Sequence, residues 1–300
     1  MWGGEELDLD AYLARIGYSG EVAADLATLR AVHRAHVETM PFENLDVALG
    51  RRIPLDVKSL QAKLVGRRRG GYCYEQNSLL AAALERIGFT VSGRGARNRT
   101  RGDALTPITH ALLVVTVDGQ PWLADAGFGW QGPLEPVPLV DGARVEQDGW
   151  VFGVGTERVG TERADTEPVG TERVGVERVG AEAEGVHVLR ALRPEGWTDL
   201  YSFAPHALYP VDFELMNHYS SSHPRSRFIG QVVAHRPGAV VRRALVRDGL
   251  TSVRVDGTRE ERRVGPEELT EVLAEVFGIE PDAEEAAGLV RVQRAHSAEV

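Results

Sequence analysis

The spacing of apolar residues changes once along this chain, near Gly88, and that change restricts the fold more than any other feature. Before it, Leu9, Tyr12, Leu13 and Ile16 fall at helical spacing up to Gly17, and residues 23–37 place Leu26, Leu29, Val32 and His33 on one side. Pro41 breaks that run, 42–47 reads as a connector, and 59–65 predicts a short helix. A longer helix follows over 78–87 and stops at Gly88. Beyond it the period approaches two, the spacing of strands. Residues 89–93 read as a strand and 95–106 as a polar, arginine-rich loop. The clearest strands are 110–117 and 120–128, separated by Asp118-Gly119, a strong hairpin signal. Further strands are expected at 185–192, 200–203, 229–236, 239–246 and 250–255. A last helix opens at Pro266 and carries Leu269, Val272, Leu273 and Val276 to Gly278.

Residues 154–184 obey neither period. They read VGTER, VGTER, ADTEP, VGTER, VGVER, VGAEA, six pentads with recurrent glycine and no aromatic residue. Such a segment cannot bury enough apolar area to offset its ordering entropy. It is read as a flexible, mixed-charge surface insertion.

Composition excludes several classes. A chain of 300 residues allows one to three domains, and 43% hydrophobic with 26% charged residues is ordinary for a globular protein. A net charge of −10 argues against nucleic acid, which needs a basic face. One cysteine forbids an internal disulfide and a cysteine-built zinc site. No stretch reaches the ~20 apolar residues needed to cross a bilayer. The acidic start lacks an apolar signal core, so a cytoplasmic location is expected.

That cysteine, Cys73, follows Gly70-Gly71-Tyr72 where a loop becomes a helix. Unpaired first-turn N–H groups and the helix dipole favour negative charge at such a place, and the thiolate is the reactive form. A thiolate nucleophile needs a base and a group to orient that base. The hairpin offers both. With Asp118 and Gly119 as the turn, Val117 faces Gln120, His110 falls opposite Gly127, and Asp125 shares a face with His110 as a diagonal neighbour. A three-residue turn would put Asp125 on the other face. The expected roles are Cys73 as nucleophile, His110 as base and Asp125 as the group that fixes the imidazole tautomer. Blander readings exist for each: a buried small hydrophobe, a structural histidine and a turn aspartate.

Arg69-Gly70-Gly71-Tyr72-Cys73-Tyr74-Glu75-Gln76-Asn77 resembles the active-site motif of the arylamine N-acetyltransferases. Pro41-Phe42-Glu43-Asn44-Leu45, Thr109-His110, Asp125-Ala126-Gly127-Phe128-Gly129, the stretch from Asn217 to Ser226 and the segment ending Val276-Phe277-Gly278-Ile279 are similar to other motifs of that family, in the same order. The resemblance implies an α+β fold: a helical bundle over 1–90 carrying the nucleophile, an antiparallel β-barrel over 91–205 carrying the histidine and aspartate, and an α/β lid over 206–300, around a cysteine-protease-like Cys-His-Asp core. It implies acetyl-CoA as co-substrate, no metal, and an arylamine or arylhydrazine as acceptor, with no nucleic-acid or membrane partner and a homo-oligomer left open. It places Thr106, Gly127, Phe128, Gly129 and Tyr219 on the coenzyme, while Phe42 and Phe203 read either as an aromatic wall for the acceptor or as core packing. Ser222 stands where threonine is common, Trp130 follows the GFG run where small residues are frequent, and the pentads are no family feature. Arg225 occupies a variable place, and the Arg67-Arg68-Arg69 run reads as structural rather than as a phosphate site.

The same triad admits other substrates. Some relatives are amide synthases of macrolactam biosynthesis, and papain-like proteases use a similar triad for hydrolysis. A binding protein with an incidental triad belongs to a third class.

Overall fold

The protein is described here by a computed structural model, which places residues 1–100, 102, 105–157 and 185–297. Its N-terminal third is helical: α1 (Leu9–Ile16), α2 (Leu26–Thr39), the short α3 (Leu45–Ala48) and α4 (Val57–Leu60), and α5 (Cys73–Ile87). Local chemistry sets these limits. The Asp8 and Asp25 carboxylates accept the Ala11 and Thr28 N–H groups at 3.0 and 2.8 Å, capping α1 and α2. Gly17 and Gly88 end α1 and α5 with φ of 73° and 113°. The connector expected over 42–47 instead holds β1 (Phe42–Glu43) and α3.

Strands β2 (Thr90–Asn98), β3 (Ile108–Val117), β4 (Gln120–Ala124), β5 (Val137–Pro138), β6 (Arg144–Gln147), β7 (Trp150–Glu157), β8 (Val186–Arg193) and β9 (Gly196–Phe203) form one nearly closed antiparallel sheet, in the order β5-β4-β3-β2-β9-β8-β7-β6. The turn carries positive φ at Asp118 (50°) and Gly119 (76°), and Val117 pairs with Gln120 as the dipeptide predicts. Two expectations fail here. β2 runs on into the predicted arginine-rich loop as far as Asn98, because β3 and β9 both pair with it and Ala96 packs inside the barrel. The strand expected over 120–128 stops at Ala124. Beyond it the Asp125 N–H donates to His33 Nε2 (3.0 Å) and the Ala126 N–H to Asn77 Oδ1 (3.0 Å), so side chains take the hydrogen bonds a ladder would need. The first pentad residues, 154–157, belong to β7 and pair with β8, so they are strand rather than insertion. The rest of the expected insertion, 158–184, lies outside the described residues.

The C-terminal third contains α6 (Pro210–Ser222), β10 (Val233–Arg236), β11 (Val241–Val246), β12 (Gly249–Arg254), β13 (Arg259–Arg263), α7 (Leu269–Phe277) and α8 (Ala283–Ser297). Its antiparallel sheet is completed by β1, with Phe42 opposite His235. Sequence periodicity missed α6, α8, β6 and β13. Separate apolar clusters fill the helical part, the barrel and this last layer. Among the described residues no helix is long and apolar enough to cross a membrane, and no group of three His, Cys, Asp or Glu side chains is placed to hold a metal.

Candidate active site

Cys73 is the first residue of α5 and is 2% exposed. The Tyr72 N–H just before it donates to Glu75 Oε2 at 3.1 Å, which anchors the helix start. Cys73 Sγ lies 3.8 Å from the Thr109 carbonyl oxygen, and the Cys73 side chain is near enough to His110 to raise its pKa. On its far side His110 Nε2 sits 2.7 Å from Asp125 Oδ2, which leaves Nδ1 for the thiol. Burial alone would lower the His110 pKa. The Asp125 charge and hydrogen bond, with the Cys73 contact, overcome it and push it up to about 10. Asp125 is also buried, which would raise its pKa, yet the His110 charge and bonds from His110, Asn77 and the Gly127 N–H hold it below its usual range.

The three residues expected from sequence therefore meet, and the β3–β4 register is the expected one as far as Leu113 opposite Ala124. His110 is paired with Ala96 of β2, and Asp125 stands one residue past the β3–β4 ladder. Asn77, four residues after Cys73 on the same helix face, donates to Asp125 Oδ1 at 3.0 Å and to the Ala111 carbonyl at 2.7 Å. His33 accepts the Asp125 N–H and donates from Nδ1 to the Leu134 carbonyl at 2.9 Å. Tyr201 packs its ring 5.0 Å from His110, with Asp125 near enough to raise its phenol further. These three positioning residues were not assigned from sequence. The i,i+4 spacing of Cys73 and Asn77 was the one available signal.

Gly127 has a steric reason to be glycine: a Cβ there would lie 2.5 Å from Cys73 Cα and 2.7 Å from Asn77 Nδ2. Phe128 packs edge-on to His110 at 5.1 Å. Gly129, at φ 85°, leaves room for the His235 ring, which stacks on Phe42 at 4.8 Å. Thr106 and Tyr219 line one cavity of about 140 Å³, together with Thr109, Arg225 and Phe228. Phe42 shares the core cluster of Cys73. Phe203 sits in the barrel core, 5.3 Å from His187 and 6.1 Å from Tyr201, in the cluster against which Phe128 packs.

Arg69 is 2% exposed and bonds Glu43 at 2.8 Å and Glu285 at 3.1 Å. Arg67 also takes Glu285, at 2.7 Å, and Lys63 bridges Asp46 and Glu75 at 2.7 Å each. Arg67 and Arg69 are thus engaged by carboxylates of the chain itself, and Arg68 is exposed.

An N-acetyltransferase family profile matches residues 25–286. The chain is 35% identical over 281 residues to an arylamine N-acetyltransferase of Mycobacterium tuberculosis, covering 91% of this chain and 89% of that protein. Its structure is similar to that of Nocardia farcinica arylamine N-acetyltransferase, with TM-score 0.85, 40% identity and 96% and 95% of the two chains covered. It is also similar to Mycobacterium marinum arylamine N-acetyltransferase in complex with CoA, with TM-score 0.80, 28% identity and 95% and 99% covered.

Proposed function

The chain belongs to the N-acetyltransferase family that contains the arylamine N-acetyltransferases, and from that premise we propose that it carries an acetyl group from acetyl-CoA, through a thioester on Cys73, to an arylamine or arylhydrazine. The unbroken line of contacts from Cys73 through His110 to Asp125 is the observation that carries this reading.

His110, protonated and held by Asp125, stabilises the Cys73 thiolate by charge and hydrogen bond. The thiolate attacks the acetyl carbonyl, the carbonyl carbon's bond to the coenzyme sulfur breaks, and the imidazolium gives its proton to the departing coenzyme A thiolate. The neutral imidazole then removes a proton from the attacking amine as the C–N bond forms and the Cys73–acyl bond breaks. Thr106 and Tyr219 face the incoming coenzyme from the cavity beside Thr109. Gly127 lets the backbone approach the reacting sulfur, and Phe128 shields the imidazole from water. Phe42 offers an aromatic wall to the acceptor ring; Phe203 acts through the barrel core.

Intact-mass measurement after mixing with acetyl-CoA tests this. The expected result is one added acetyl group on the wild type, none on Cys73→Ala, and loss of that group when an arylamine is added. A wild type that stays unmodified, with coenzyme A release no faster than in Cys73→Ala, overturns it.

A further inference from the structure

A cavity of about 290 Å³, remote from the triad residues in its lining, opens between the barrel and the C-terminal sheet. Arg193, Arg242, Arg254 and Arg259 line it, against the single carboxylate of Glu195. Arg259 is engaged by Glu261 at 2.7 Å. Among the described residues, Arg193 and Arg254 make no side-chain hydrogen bond or salt bridge.

Arg242, on β11, is 1% exposed. Its Nη1 donates to the Trp130 and Gly132 carbonyls at 3.0 and 2.8 Å, while Nε and Nη2 have no hydrogen-bond partner. The Trp150 ring lies 4.1 Å from its guanidinium carbon, and Arg193 reaches the same ring at 5.9 Å. Asp148, the carboxylate whose charge acts on Arg242, is itself bound by Arg34 at 2.7 Å. Burial, helped by the Arg193 charge, pushes the Arg242 pKa down to about 9. A buried cation with two empty donors is an uncompensated charge, and folded proteins rarely keep one without a partner.

We propose that this cavity is a binding site for a small oxyanion, the phosphate or carboxylate group of a small molecule, gripped by Arg193 and Arg254 over the Arg242 charge. The empty Nε–Nη2 edge is the side-on fork that takes such a group in two parallel hydrogen bonds. The Trp150 ring stacks on the guanidinium, 4.1 Å from its carbon, and the bound oxyanion takes the Nε–Nη2 edge. Because Arg242 also holds the Trp130–Gly132 turn, an occupant reaches the segment that follows Gly127-Phe128-Gly129 beside Cys73.

Trp130 and Trp150 both line the cavity, so tryptophan emission of the full chain reports binding. Inorganic phosphate and citrate are titrated at constant ionic strength against chloride. The expected response is saturable and smaller in Trp150→Phe, where Trp130 alone reports from the cavity lining. Half-saturation rises about tenfold or more in Arg193→Gln and in Arg254→Gln, whose rim positions spare the fold if Arg242→Met does not fold. Displacement of phosphate by coenzyme A would make the coenzyme's own phosphates the source; binding that persists under saturating coenzyme A would make it a free anion. No saturable response to either anion, or unchanged half-saturation in both rim variants, overturns the site and leaves Arg242 as a brace for the turn.

Discussion

Asp125 shows how much one residue can carry. Its Oδ2 meets His110 Nε2 at 2.7 Å, and its Oδ1 accepts from Asn77 and from the Gly127 N–H. Asp125→Asn keeps the shape and presents an amide where a carboxylate fixed the imidazole tautomer. Turnover of acetyl-CoA with an arylamine should fall by roughly 10³–10⁴; near-normal turnover in a folded variant removes Asp125 from the mechanism. The same pair has a signature in stability. His110 is held up to about 10 against an ordinary value of 6.5, so the folded state binds its proton more tightly than the unfolded chain does. The stability it adds is fully present below pH ~6.5 and fades as pH rises towards ~10. Urea midpoints should therefore decline more steeply across that window in the wild type than in His110→Gln, and parallel slopes would contradict the charged pair. Cys73, His110 and Asp125 were all legible in the sequence. Their supporters were not, because His33 and Tyr201 lie 92 and 76 residues from Asp125 and look like ordinary core positions.

Helix α5 explains why the nucleophile is where it is. Gln76, on its first turn, donates to the Pro41 carbonyl at 2.8 Å and accepts from His36 Nε2 at 2.8 Å, and Tyr12 closes the chain on His36 Nδ1 at 2.8 Å. Burial drives the His36 pKa down to about 3, so this relay stays neutral and fixed. The charged anchor is Arg69, which joins Glu43 near β1 to Glu285 of α8. Arg69→Met removes the guanidinium from buried Glu43, leaving Lys63 as its nearest cation at 3.8 Å, while Glu285 keeps Arg51 and Arg67, and should cost roughly 3–5 kcal/mol in urea unfolding at pH 7. A loss under ~1 kcal/mol would shift that anchoring role to Lys63. The helix itself was readable from its apolar run and Gly88. The anchor was not, since its partners come from opposite ends of the chain. Elements with weak periodicity escaped as well: α6 has an exposed apolar face at Val211 and Leu215, and β2 is rich in arginine.

For the molecule as a whole, the register of β7 and β8 sets a test of the pentads. Glu157 faces Val186 across the ladder, so the two residues that flank 158–185 are already side by side. Replacing 158–185 by Asn-Gly should close a two-residue hairpin, leave turnover within about twofold and move the melting temperature by no more than about 3 °C. A tenfold loss of turnover would give the pentads a part in the reaction. The order of the architecture followed from sequence alone: helices before Gly88, antiparallel strands after it, a cysteine at a helix start, and a hairpin whose turn fixes Val117 against Gln120. Each of these rests on neighbours within a few residues, where periodicity and turn chemistry act. Folding alone decided that β1 joins the last sheet, that Asp125 leaves its ladder for His33 and Asn77, that Arg69 lies between Glu43 and Glu285, and that Arg242 is buried against Trp150 with Nε and Nη2 unpartnered. Those outcomes depend on which distant surfaces bury one another, and on desolvated polar groups having to find partners wherever the packed chain presents them.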